Sequence, residues 1–166
     1  MKNTLKNFNV FMDGRGYAGK CEEAKLPELK IKTESFRAGG MDSEIDVDQG
    51  IEKLEASFVL ASYEPEVLKQ FGIADGASVP FVFKGAFQDD AGKTIAATVT
   101  MTGKITSLTR DAWKAGENSK MTINMTLHYF KEVADGATIY EIDIKNMKRV
   151  IDGVDQMEAI RSAIGL

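Results

Sequence analysis

The sequence predicts a mainly β protein: an antiparallel β-barrel or sandwich with a short flanking helix, a long loop and a C-terminal helix. Three observations carry this. Apolar and polar residues alternate with a period of two over most of the chain. The polar partner is often threonine. Turn dipeptides such as Asp13-Gly14 and Asp135-Gly136 separate the runs. A period of two with threonine-rich polar faces marks antiparallel sheets covered on one side. Residues 1–166 read as a single domain, the expectation for that length. No repeat, linker or low-complexity tract interrupts them, and Pro27, Pro65 and Pro80 are scattered.

The elements follow in order. Asn7 to Met12 is a short Phe/Val-rich run that ends at Asp13-Gly14, and Tyr17 to Ala24 returns antiparallel. Leu29 to Phe36 places Leu29, Ile31 and Thr33 opposite Lys30, Lys32 and Glu34, a half-buried strand. Leu54 to Ala61 and Pro80 to Phe87 read the same way. Pro65 suits a first helical position, Val67, Leu68 and Phe71 form a stripe, and Gly72 ends it. In Thr94 to Thr102, Ile95, Ala97, Val99 and Met101 alternate with threonine and alanine. In Met121 to Phe130, Met121, Ile123, Met125, Leu127 and Tyr129 share one face and Thr122, Asn124, Thr126 and His128 the other. Ala137 to Asp143 is a further strand. Asp155 ahead of Met157, Ile160, Ala163 and Ile164 predicts a capped C-terminal helix, too short to stand alone, so its stripe must dock on something. Arg37 to Gly50 fits neither period and reads as a long loop, a length that is usually functional or disordered.

Composition narrows the function. There are 25 acids against 21 bases, so the basic footprint of a nucleic-acid binder is absent. One histidine and one cysteine argue against histidine- or thiol-rich metal sites. Cys21 has no partner for an intrachain disulfide, which suits a reducing compartment. No run approaches the roughly 20 apolar residues of a membrane-spanning helix, and the first residues carry no apolar stretch of secretory-signal length.

Two motifs invite a chemical reading. Gly14-Arg15-Gly16-Tyr17-Ala18-Gly19-Lys20 matches glycine-rich phosphate loops, whose backbone N–H groups meet phosphate at a helix N-terminus. Cys21 stands where a Mg²⁺-ligating hydroxyl belongs, and Pro27 interrupts the required helix, so a hairpin turn is the simpler reading. Glu44, Asp46, Asp48 and Glu55 fall at positions one, three, five and twelve of a Ca²⁺ loop, but Gln49 replaces the glycine at position six. A solvated acidic edge explains the same residues, leaving a Ca²⁺-dependent binding module as an alternative. No catalytic residue, cofactor or metal is nominated: His128 sits on a polar strand face, and no nucleophile elbow occurs. Trp113 reads either as an interface anchor or as a cover over the core.

Tyr140-Glu141-Ile142-Asp143, Asn146-Met147, Ile151-Asp152-Gly153-Val154-Asp155 and the final Ile164-Gly165-Leu166 resemble the C-terminal signature of major tail tube proteins. These are found in contractile-tailed (myovirus) phages and R-type pyocins. Asn9-Val10-Phe11-Met12-Asp13-Gly14, Leu26-Pro27, Arg37-Ala38-Gly39-Gly40-Met41-Asp42 and Trp113-Lys114-Ala115-Gly116-Glu117 extend the resemblance over essentially the whole chain. The resemblance implies a structural protein without enzyme activity or cofactor. It implies hexameric rings stacked into a hollow tube that is driven through a target envelope, conducting DNA in a phage or ions in a bacteriocin. It implies as partners further copies of the chain, a sheath protein, a baseplate initiator, a tail terminator, a tape measure protein and passing DNA. The implied location is the virion tail or tail-like particle, assembled in the bacterial cytoplasm and released by lysis. The inner tube of a related contractile secretion system is the neighbouring alternative. Inter-subunit contacts are expected at Arg37, Gly39, Gly40, Met41, Asp42, Glu44 and Asp46, with the glycines supplying bends and Arg37 meeting a carboxylate across the interface.

Overall fold

The structure is a computed structural model that describes residues 2–166. A long hairpin organises it. β8 (Thr94–Arg110) pairs along its length with β9 (Met121–Ala134). β7 (Val79–Gln88) pairs with β8, β1 (Thr4–Met12) with β7, and β2 (Arg15–Gly16) with the end of β1. On its other edge β9 changes partner. Met121 to Leu127 pair with β6 (Leu54–Leu60), and Tyr129 to Ala134 pair with β10 (Ala137–Asp143). β3 (Cys21–Lys25) adds to β6, and β11 (Lys148–Ile151) and β12 (Val154–Asp155) add to β10. Every pairing between these strands is antiparallel, and one isolated parallel bridge joins Phe71 to Ile105. The β6–β3 branch folds over β7 and β1, and Phe58 of β6 stands against Phe81 and Phe83 of β7 with ring centroids 4.9 and 5.6 Å apart. Val10, Met101, Ile123, Met125 and Val67 complete the core between these walls. Among the described residues no helix is long and apolar enough to cross a membrane.

The change of partner rests on local irregularities. The ladder runs Gly103↔Leu127 and then Thr102↔Tyr129, so His128 is an extra residue on β9. A Cβ at Gly103 would fall on the Thr126 carbonyl oxygen and 2.8 Å from Leu127 Cα. Only glycine lets the two backbones approach this closely. The bulge corrects one expectation. Tyr129 does not share the Leu127 face; Phe130 takes the core position and Tyr129 turns outward, its hydroxyl 3.4 Å from a Glu141 oxygen.

Other elements also depart from the sequence reading. Tyr17 to Ala24 does not return along β1; only Arg15–Gly16 does, Tyr17 enters the core, and the chain crosses to pair with β6. Thr94 to Thr102 is the first half of a strand that runs to Arg110. α1 (Pro65–Leu68) stops before Phe71, which stays exposed. α2 (Glu158–Ala163) begins after Met157, whose N–H donates to Asp155 Oδ1, so Asp155 acts from β12 and not as the helix cap. The stripe of α2 does not dock: Ile160 and Ile164 are exposed. The expected loop at 37–50 is in part strand. β4 (Ile31–Phe36) and β5 (Ile45–Ile51) form a separate hairpin, exposed on both faces over most of its length where a half-buried strand was expected.

Candidate functional site

The β4–β5 hairpin, here the arm, pairs with no other strand. Its register sets Phe36 opposite Ile45, Glu34 opposite Val47, Ser35 opposite Asp46 and Thr33 opposite Asp48. Side chains alternate along a strand, so Phe36, Ile45 and Val47 share one face with Glu34. Thr33, Ser35, Asp46 and Asp48 take the other. The polar face is the one tied to the body. Arg149 of β11, nearly buried, donates from Nη2 to Asp48 Oδ2 at 2.7 Å, and this guanidinium holds the Asp48 carboxyl below the usual range. Ser35 Oγ lies 3.3 Å from Asp46 Oδ1. The apolar face has no such contact: Phe36, Ile45 and Val47 are between 41% and 54% exposed. An isolated two-stranded hairpin is marginal in water, so this face is poised for a partner.

The tip carries the residues expected to make contacts. Arg37 Nε donates to the Met41 carbonyl at 3.2 Å, and Met41 N–H donates to the Ala38 carbonyl at 3.2 Å. Gly40 sits at φ +87°, a conformation that favours glycine, whereas Gly39 has no positive φ. Arg37, Gly39, Gly40, Asp42 and Glu44 are exposed at the tip, Met41 is half-buried, and Asp46 stands on β5. The arm thus brings all seven together, and sequence reasoning missed the apolar face behind them.

The other motifs resolve into structure. Gly14, at φ +77°, turns β1 into β2, and Lys20 Nζ lies 2.9 Å from Glu64 Oε1. The following element is β3, a strand, so the run lacks the helix N-terminus a phosphate loop needs. Asp46 and Asp48 lie on an extended strand, and Glu55 is on β6 beside Lys53 at 3.5 Å. Among the described residues no three acidic, histidine or cysteine side chains are grouped to hold a metal. Burial pushes the Cys21 thiol up to about 11, which keeps it protonated and unreactive at neutral pH.

Two further surfaces are unpartnered. Trp113 is 77% exposed on the β8–β9 connection and lines a recess with Tyr63, so it does not cover the core. Ile160, Ile164 and Leu166 are exposed at the C-terminus. The free edge of β1 is guarded: the Phe8 and Val10 N–H groups donate to the side-chain oxygens of Asn7 and Asn9 at 2.9 and 2.8 Å.

Comparison with known proteins places this geometry. The family model described as phage tail tube protein FII matches residues 2–165. The tail tube protein of Escherichia phage P2 is 35% identical over 170 aligned residues, covering 100% of this chain and 99% of its own. The major tail tube protein of Serratia phage KSP20 is 30% identical over 165, covering 98% and 95%. Two cryo-EM structures of an extracellular contractile injection system share the fold. Its sheath/tube terminator matches with a TM-score of 0.59 at 11% identity over 77% of this chain and 94% of that one. Its extended sheath–tube complex matches with 0.56 at 12% identity over 76% and 88%.

Proposed function

The chain belongs to the phage tail tube protein FII family, as a structural subunit of the inner tube of contractile tails and not an enzyme, and on that premise we propose how it assembles. Six copies close into a ring, and rings stack head to tail into a hollow tube. The observation that carries this reading is the arm: a hairpin outside its own core, with an unpartnered apolar face and a tip built from Arg37, Gly39, Gly40, Met41, Asp42 and Glu44. Contacts between unlike surfaces close into rings when the rotation permits and propagate into filaments along an axis. Arg37, held by one nitrogen to its own tip, keeps its remaining donors for a carboxylate on another copy.

The outward face of the main sheet suits a wetted wall. Thr98, Thr100 and Thr102 of β8 align with Lys131 of β9 and Glu141 of β10. Lys131 and Lys148 share the one carboxylate of Glu141, at 3.6 and 2.6 Å, so half of their charge is offset within the chain. A threonine wall with few uncompensated cations holds passing DNA weakly, and DNA slides without specific binding. The assembled tube stands in a tail or tail-like particle, with a sheath protein around it, a baseplate initiator and a terminator at its ends, and a tape measure protein inside during assembly. It forms in the bacterial cytoplasm, is released by lysis, and crosses the target envelope.

The test uses negative-stain microscopy of the full-length chain, beside a variant whose residues 33–49 are replaced by an Asn-Gly turn. The native chain is expected to give hollow six-fold rings or tubes. The shortened chain, which lacks the Asp48 carboxylate that pairs with Arg149, is expected to stay folded with a somewhat lower melting temperature and to give none. Tubes of normal appearance from the shortened chain would refute the arm's role.

A further inference from the structure

Between β1, β7 and the chain just beyond β3 lies a surface that is neither core nor fully exposed. Leu5 and Phe8 of β1, Phe83 and Phe87 of β7, and Leu26 beyond β3 line an apolar recess of about 140 Å³. Leu5 and Leu26, at its mouth, are 46% and 40% exposed. A cavity of roughly 150 Å³ walled by such side chains is large enough to take up a benzene ring. The recess also holds a charge. Glu132 stands directly across from Val99, a core residue, and from Tyr140, so its side chain shares their inward face. Glu132 lines the recess and forms no ion pair or hydrogen bond among the described residues. Glu132 is half-buried, so its carboxylate is open to a cation brought from outside the subunit.

The chain carries a matching group elsewhere. Phe36, half-exposed at the end of β4, is followed by Arg37 at the arm tip. A phenyl ring followed in the chain by a guanidinium supplies one apolar and one cationic group, which complement an apolar recess with a carboxylate in its wall. We propose that the recess of one subunit receives Phe36 from the arm of another copy of this chain, with Arg37 of that arm paired to Glu132. The proposal rests on the reading of the arm as an assembly element and adds the seat on which it lands. A second copy is the occupant because a tube subunit is surrounded by copies of itself and the charges are complementary.

Charge reversal tests it in tubes of the full-length chain. Arg37→Glu and Glu132→Arg are each expected to lower tube yield about tenfold or more, the loss for breaking one partly desolvated pair. The double reversal is expected to restore it. Glu132→Gln, which preserves shape, is expected to weaken assembly without changing the melting temperature of the monomer, separating contact from folding. In a Cys21→Ser background, Ile45→Cys combined with Leu26→Cys is expected to give an intermolecular disulfide ladder on oxidation, and Ile45→Cys alone none. If Phe36→Ala and Arg37→Glu leave tubes intact, the arm reading falls and this proposal with it. If those variants abolish tubes while the Glu132 variants and the cysteine pair do nothing, the arm reading stands and the recess is not its seat.

Discussion

Replacing Gly103 by alanine tests the close backbone approach of β8 and β9 at the bulge where β9 changes partner. The added methyl group would meet the Thr126 carbonyl oxygen and lie 2.8 Å from Leu127 Cα. Both are backbone atoms of β9, fixed by pairing with β8 and β6, so no side chain can swing away. Overpacking of this kind costs about 3 kcal/mol, the upper part of the usual range. For a domain of this size each kcal/mol shifts the melting temperature by about 2–4 °C, so Gly103→Ala is expected to melt roughly 6–12 °C lower. Gly85→Ala is the matched control. Its methyl group would meet Leu5 Cδ1 at 3.3 Å, the tip of an exposed side chain that can rotate away. A change within about 0.5 kcal/mol is expected there. Thermal melts followed by circular dichroism read both. Equal melting temperatures for the two variants would refute the argument that close backbone approach at Gly103 excludes a side chain.

Three further outcomes follow from the same geometry. Phe58→Ala removes the ring that meets Phe81 and Phe83 and should lose about 3–5 kcal/mol in urea unfolding. Asp48, Glu141 and Asp155 have carboxyls held below their usual range by Arg149, Lys148 and Arg161 respectively. Their folded-state pKa values are depressed, so their contribution is full above about pH 4.5 and disappears as pH falls through the folded values. Asp48→Asn should make the stability difference between pH 6 and pH 3 smaller than in the native chain; urea melts at the two pH values measure it. Tubes counted by microscopy should be equally abundant with and without EDTA, since Asp46 and Asp48 lie on an extended strand and Glu55 sits on β6 beside Lys53, so these acids do not wrap a Ca²⁺ ion.

How far the sequence could be read depended on which surfaces each segment serves. Met121, Ile123, Met125 and Leu127 announce β9 because that strand faces its own core and the period of two follows. The same period fails at His128, where one extra residue turns Tyr129 outward, and a bulge leaves no compositional mark. Beyond Thr102 the inward position falls to Gly103, which carries no apolar side chain, and the alternation of β8 then breaks at the extra residue Thr106, which hid half of the strand. The arm is instructive in the other direction. Ile45, Val47 and Ile51 do alternate with acids and glycine, but the acids and the Gly39-Gly40 pair suggested a loop. A hairpin tied to its own chain only near its base, through Asp48 and Ile51, is under no pressure to look half-buried over the rest of its length. The seven candidate residues were legible as a cluster. Phe36, Ile45 and Val47 as a face, and Glu132 as an inward carboxylate, were not, because both depend on register. The helical stripe was expected to dock, and Ile160 and Ile164 instead stay exposed.

The most direct measurement is a cryo-EM reconstruction of the tube formed by the full-length chain. The account predicts six subunits per ring, with the Phe36, Ile45 and Val47 face of every arm buried against another copy. A tube of different symmetry, or one whose arms stand free in solvent, would contradict it.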